Sequence, residues 1–110
     1  MTGVYVIRPR ADRDIDEYAQ YLLEQASLET AKRFLDSARN MFELLASHPN
    51  MGWPARLKHP HLRELRVFRV SGFERMLILY LPLHRGVEIL RMVHGSRNVH
   101  SLFRRREELE

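Results

Sequence analysis

The period of the apolar positions changes repeatedly along the chain, and each change marks an element. Val4-Tyr5-Val6-Ile7 is a short β-favouring run that stops at Arg8-Pro9, and it predicts a first strand. From Arg10 the spacing becomes helical, with Ala11, Ile15, Tyr18, Leu22 and Ala26 on one face. Asp12, Asp14, Asp16 and Glu17 place acid near the start of this helix, where the helix dipole favours it. Ser27 is a suitable N-cap for a second helix, with Glu29 in its first turn. Ala31, Phe34, Leu35, Ala38, Phe42 and Leu45 then recur at intervals of three and four. That helix ends by Ser47-His48-Pro49, because a residue before proline resists the α conformation. The connection between the helices is so short that they must run antiparallel as a hairpin.

Asn50 to His61 reads as a loop, punctuated by Gly52, Pro54 and Pro60, with Trp53 expected to anchor it by plugging one end of the core. Leu62 to Val70 predicts a strand in which Arg63, Arg66 and Arg69 interleave with apolar residues, and Ser71-Gly72 a hairpin turn. The nearly continuous apolar run from Phe73 to Leu81 predicts a strand flanked on both sides and ended by Pro82. His84-Arg85-Gly86 turns the chain into Val87-Glu88-Ile89-Leu90-Arg91-Met92-Val93, a buried strand with a single arginine set into it. Gly95 then allows a tight turn, which presents His94 and Arg97 at a strand end. Val99, Leu102 and Phe103 suggest a short C-terminal helix. The order β-α-α-β-β-β predicts an α+β fold over residues 1–110. In it the helical hairpin packs on one face of a mainly antiparallel four-stranded sheet, and the other face is only partly covered.

Composition narrows the function classes. A 110-residue chain with 45% hydrophobic and 29% charged residues is long enough to bury a core and is too apolar for a disordered one. The longest apolar run, Met76 to Leu81, is far too short to span a bilayer, and no signal-peptide pattern is visible. With no cysteine, disulfides and thiolate metal sites are out of reach, which fits a cytoplasmic location. The net charge of +4 suggests an anionic partner.

Candidate chemistry is sparse. His48, His59, His61, His84, His94 and His100 are not spaced as a ligand set, so no metal is expected. Ser71, Ser96 and Ser101 lack the glycine-flanked setting of a nucleophilic serine, and no phosphate-cradling glycine loop is present. No cofactor is therefore expected.

Four passages together carry a family resemblance: the opening strand running into Pro9-Arg10-Ala11-Asp12 with Asp14-Ile15; Ala31-Lys32-Arg33-Phe34; His48-Pro49-Asn50-Met51-Gly52; and Glu88-Ile89-Leu90-Arg91-Met92-Val93-His94-Gly95-Ser96-Arg97-Asn98. The chain resembles the RelE/ParE superfamily of small toxins from type II toxin–antitoxin modules, and is closer to the ParE branch. The resemblance implies a sheet of order 1-4-3-2, with the first strand beside the last. It implies a toxin that inhibits DNA gyrase and is neutralised by a ParD-like antitoxin whose C-terminal segment folds on contact. On that reading His94, Arg97, Arg104, Arg105 and Arg106 contact the gyrase–DNA complex. Tyr18, Tyr21, Met41 and Leu44, at or beside the edges of the helices' apolar stripes, are candidates for the antitoxin groove.

RelE-like relatives imply the enzymatic alternative, metal-independent cleavage of messenger RNA on the ribosome. Arg63, Arg66, Arg75 and Arg91 would then supply cations for the phosphorane, and His94 the acid or base. The chain departs from those relatives in having no tyrosine after Tyr80 and only one lysine, Lys58, after Lys32. A third reading is a degenerate member that only binds its antitoxin. Replacing Arg104, Arg105 and Arg106 with serine should leave folding intact and reduce toxicity on induction, whereas unchanged toxicity would make the triple-arginine stretch a solvated end balanced by Glu107, Glu108 and Glu110.

Overall fold

The computed structural model describes residues 3–95. The C-terminal helix expected around Val99, Leu102 and Phe103, together with Arg97 and Arg104 to Arg106, lies outside the described residues. Strand β1 (Val4–Ile7) leads into helices α1 (Pro9–Gln25) and α2 (Leu28–Ser47). Strands β2 (Trp53–Pro54), β3 (Arg66–Val70), β4 (Phe73–Leu83) and β5 (Gly86–His94) follow. Pro9 stands at the first position of α1, where its fixed φ suits a helix start and its lack of an amide proton costs nothing. The Ser27 hydroxyl caps α2 by accepting from the Thr30 amide at 3.1 Å.

The two helices pack on one face of a single sheet of order β1-β5-β4-β3-β2. β1 runs parallel to β5, and the remaining neighbours are antiparallel. The first strand thus lies beside the last, as the resemblance implies, and the two-residue β2 adds a fifth strand at the far edge. Trp53 pairs with Val67 there and is 39% exposed. It does not plug the core, because strand pairing with β3 holds this part of the loop along the sheet edge.

Other local departures have equally direct causes. β3 begins at Arg66, not at Leu62, because turns in which the Leu62 amide bonds to His59 and the Leu65 amide to Leu62 occupy the preceding segment. β4 continues through Pro82 to Leu83. Past Tyr80 it has lost β3 as a neighbour, so a residue without an amide proton interrupts no pairing on that side. Ala26 falls beyond the end of α1 and is exposed, and Leu35 lies at the margin of the buried stripe of α2, 36% exposed. Gly72 turns β3 into β4 with φ 82°, a conformation that disfavours other residues.

The sheet is covered on both faces. Against the helices lies the main core, centred on Phe34, Leu45, Ile78, Tyr80, Val87 and Ile89. On the other face Leu57, Leu62 and Leu65 of the long connection cover Val67, Leu79, Leu90 and Val93. This face is less open than strand patterning suggests, because the intervening segment carries leucines that need burial. Register shifts opposite Leu79 and Tyr80, leaving Leu90 as an additional residue in β5. Leu90 joins the outer core while Met92 returns to the helix side.

Two polar constructions hold this arrangement. Asp14, buried on α1, accepts from Arg91 Nε at 2.7 Å and Nη2 at 3.2 Å, and from the Met92 amide at 3.0 Å. Arg10 Nε stands 3.7 Å from the same carboxylate. The second is a loop latch. The buried Tyr80 hydroxyl donates to the Pro49 carbonyl at 2.8 Å and accepts from the Gly52 amide at 2.9 Å. A side chain at position 52 would stand 2.6 Å from that hydroxyl and from the Val67 carbonyl, so only glycine fits. Arg66 Nη1 also donates to the Gly52 carbonyl, and to that of Asn50 at 3.3 Å.

Replacing Asp14 with alanine should destabilise the fold by about 3–5 kcal/mol, since it strands the buried Arg91 charge, and a D14A/R91M double variant should recover much of that loss in urea unfolding. Tyr80→Phe should cost about 1–3 kcal/mol by leaving the Gly52 amide and Pro49 carbonyl without their partner. Burial pushes the Tyr80 phenol above its ordinary 10.0, opposed by the Gly52 amide and the Arg66 charge. The native state therefore holds this proton more tightly than the unfolded chain, a contribution complete below pH 10.0 and lost as pH rises through the folded value. Alkaline unfolding curves of Tyr80→Phe should lack that component of the decline.

Candidate functional site

Helical spacing places Asp14, Glu17, Tyr18 and Tyr21 along one side of α1. Facing them are Arg75 and Met76 at the start of β4, and Arg91 to His94 at the end of β5. Between the two runs is an open cleft of about 550 Å³. The Asp14–Arg91 pair forms its floor, so the contact that locks helix to strand also fixes the distance between the cleft walls. Glu17, Tyr21 and Arg75 are exposed at the rim, and His94 is half-buried.

One wall is aromatic. The Tyr18 and Tyr21 rings stack with centroids 5.7 Å apart and planes at 21°. Tyr18 meets Phe34 edge-on at 4.9 Å, and Phe34 meets Phe73 edge-on at 5.4 Å. The line of rings runs from the cleft into the main core, which anchors Tyr18 while Tyr21 remains 55% exposed. The opposite wall is set by pairing: His94 is held across from Met76, and the Gly95 amide donates to the Arg75 carbonyl at 2.6 Å. A rigid aromatic wall with phenolic hydroxyls, facing a histidine and an arginine, suits an amphipathic peptide segment that buries apolar side chains and leaves polar ones at the rim.

The residues singled out from the sequence are only partly brought together. Tyr18, Tyr21 and His94 share the cleft. Leu44 is 42% exposed on α2, whereas Met41, expected at the groove, is only 7% exposed and packs in the main core. Its place on the buried stripe of α2, between Ala38 and Leu45, turns it toward the sheet. Of the alternative catalytic set, His94, Arg75 and Arg91 line the same cleft, and Arg63 and Arg66 lie elsewhere. Arg91 is 1% exposed and tied to Asp14, Arg66 reaches the carbonyls of Asn50 and Gly52, and Arg63 lies on the connection over the opposite face of the sheet. His94 and Arg75 remain near each other at the cleft, with Arg75 exposed. Among the described residues no group of three or more His, Asp or Glu side chains is placed to hold a metal ion.

The role of Asp14 is not visible from local pattern alone, because an acid in the opening turns of a helix reads as a dipole partner. The available signal is its place between Ala11 and Ile15 on the apolar stripe, matched by the one arginine inside the buried strand Val87 to Val93. Two opposite charges, each set in a stretch that is otherwise buried, point to each other.

No curated protein matches the chain. In fold it is similar to a solved structure described as a chromosomal ParDE toxin–antitoxin system from P. aeruginosa, with TM-score 0.67 and 14% sequence identity, over 84% of this chain and 95% of that one. The family model described as the ParE toxin of the type II toxin–antitoxin system parDE matches residues 5–99, which takes in both helices, every strand from Tyr5 on and the His94 end. The chain therefore belongs to the ParE toxin family of type II toxin–antitoxin systems.

Proposed function

We propose that this toxin acts by binding, inhibiting DNA gyrase and hence replication, and that a ParD-like antitoxin neutralises it by laying an apolar segment into the cleft between α1 and the end of β5. The gyrase part of this reading rests on membership of the ParE toxin family; the observation that carries the antitoxin part is the stacked Tyr18–Tyr21 pair, backed by Phe34 and open to solvent at Tyr21. Anchored tyrosines offer a large contact area at small entropic cost, which suits recognition of a segment that orders as it binds.

The engagement of Arg91 and Arg66 in structural contacts favours binding over RNA cleavage. Cleavage at the 2′-hydroxyl needs a base, an acid and a cation converging on one phosphate. Arg91, the arginine nearest His94 in β5, is committed to a buried carboxylate, and Arg66 is committed to loop carbonyls. The ParDE system to which the fold is similar is itself a toxin with its antitoxin, which supports an antitoxin as partner here.

Induction of the toxin without antitoxin, followed by labelled thymidine and labelled methionine incorporation, tests the target. Early loss of DNA synthesis with accumulation of broken DNA is expected. Translation stopping first, with messages cut within codons, would replace the gyrase reading by a ribosomal one. Tyr21→Ala should leave toxicity unchanged and weaken the complex with its cognate antitoxin by about 2 kcal/mol, roughly thirtyfold in Kd by calorimetry.

A further inference from the structure

Charge is divided between the two faces of the molecule. On the helices the exposed carboxylates Asp12, Asp16, Glu17, Glu24, Glu29, Asp36 and Glu43 outnumber the exposed Arg13, Lys32, Arg33 and Arg39. Behind the sheet the balance inverts. Along the connection and β3, Arg56, Lys58, Arg63 and Arg69 are exposed, with Glu64 as the one exposed carboxylate among residues 50–70.

The way this connection folds sends its apolar groups inward and its cations outward. Leu57, Leu62 and Leu65 are buried against Val67, Leu79, Leu90 and Val93, so the outward side of the segment is left to charged and polar groups. Arg56 is positioned through its backbone and Arg69 through its side chain. Arg56 has φ 58°, a left-handed conformation that non-glycine residues seldom adopt. It is flanked by Ala55, whose amide donates to the Leu65 carbonyl at 2.9 Å, and by the buried Leu57. Arg69 sits over the Trp53 ring, its guanidinium carbon 5.0 Å from the ring centroid.

We propose that this face, carried by Arg56, Lys58, Arg63 and Arg69, binds the phosphodiester backbone of duplex DNA. Apart from Met51 and from Trp53, which lies beneath Arg69, the large outward side chains of this surface are charged or polar, which is the balance of a protein–DNA interface more than that of a protein–protein one. With Arg69 over its ring and Phe68 beside it at 6.3 Å, Trp53 is not a clear platform for unstacked bases, so phosphate contact to a duplex is favoured over capture of a single strand. The acidic helical layer on the opposite side orients the approach of a polyanion toward this face. The inference does not depend on gyrase being the target, since it concerns binding by the toxin chain itself.

The test is fluorescence anisotropy of a short labelled duplex of random sequence, titrated with the purified toxin over a range of salt concentrations. Affinity should fall linearly in log–log form, and the variant R56S/K58S/R63S/R69S should lower the magnitude of the slope by about 0.9 for each phosphate contact removed. The variant R13S/K32S/R33S/R39S removes the same number of charges from the helical face and should leave the slope unchanged. Circular dichroism establishes that both variants fold. Absence of duplex binding by the parent chain, or equal losses from the two variants, would overturn the proposal. So would tighter binding of single-stranded oligonucleotide, of RNA, or of polyglutamate than of the duplex.

Discussion

The buried contact between Asp14 and Arg91 is the constraint on which the arrangement of layers depends. β1 pairs with β5 only as far as Ile7 and Ile89, after which the chain leaves the sheet to form α1. β5 continues to His94 without β1 beside it, and an amide on that stretch needs an acceptor. The Asp14 carboxylate takes that place for Met92 and at the same time neutralises Arg91. A helix that would otherwise be held by apolar packing alone is thereby fixed in position along the strand. Buried ion pairs are weak sources of net stability, but in this one the carboxylate also accepts from the Met92 amide and so ties α1 to a defined place on β5. Its consequence reaches the surface, because the cleft walls are the next residues along α1 and β5.

A second constraint acts on the loop that follows α2. The Tyr80 hydroxyl joins the middle of β4 to both Pro49 and Gly52, so the turn out of α2 is tied to the center of the sheet. Arg66 adds bonds to the same loop from β3. The long connection that follows is free to cross behind the sheet, where its leucines complete a second core. Both faces of the sheet are therefore occupied, and the outer one is covered by a segment with no regular structure of its own.

This division gives the molecule two unlike surfaces. The helix side carries an aromatic cleft and an excess of acid; the back carries arginines and a lysine on a scaffold of inward leucines. A partner that folds onto the cleft and a polyanion that meets the back could be bound at the same time, because the sheet lies between them. Antitoxin binding and duplex binding would in that case be separable by substitutions on opposite faces.

Much of the fold was legible in the chain. The strand Val4–Ile7, the cap at Ser27, the stop before Pro49 and the buried strand ending at His94 each rest on local patterns of period, capping and proline sterics, which act over a few residues. Tyr18, Tyr21 and His94 were also within reach, as residues at the margins of apolar stripes or at a strand end. The rest was decided by contacts distant in sequence. Leu62 and Leu65 look like strand residues and instead cover the outer face, because the same apolar content serves a strand or an irregular cover equally well. Trp53 looks like a core plug and instead pairs at an edge, and Arg91 looks like a free cation until α1 brings Asp14 to it across 77 residues. Local pattern specifies which segments are helix and strand; which charges meet, and which leucines find a surface to cover, follows only once those segments have packed.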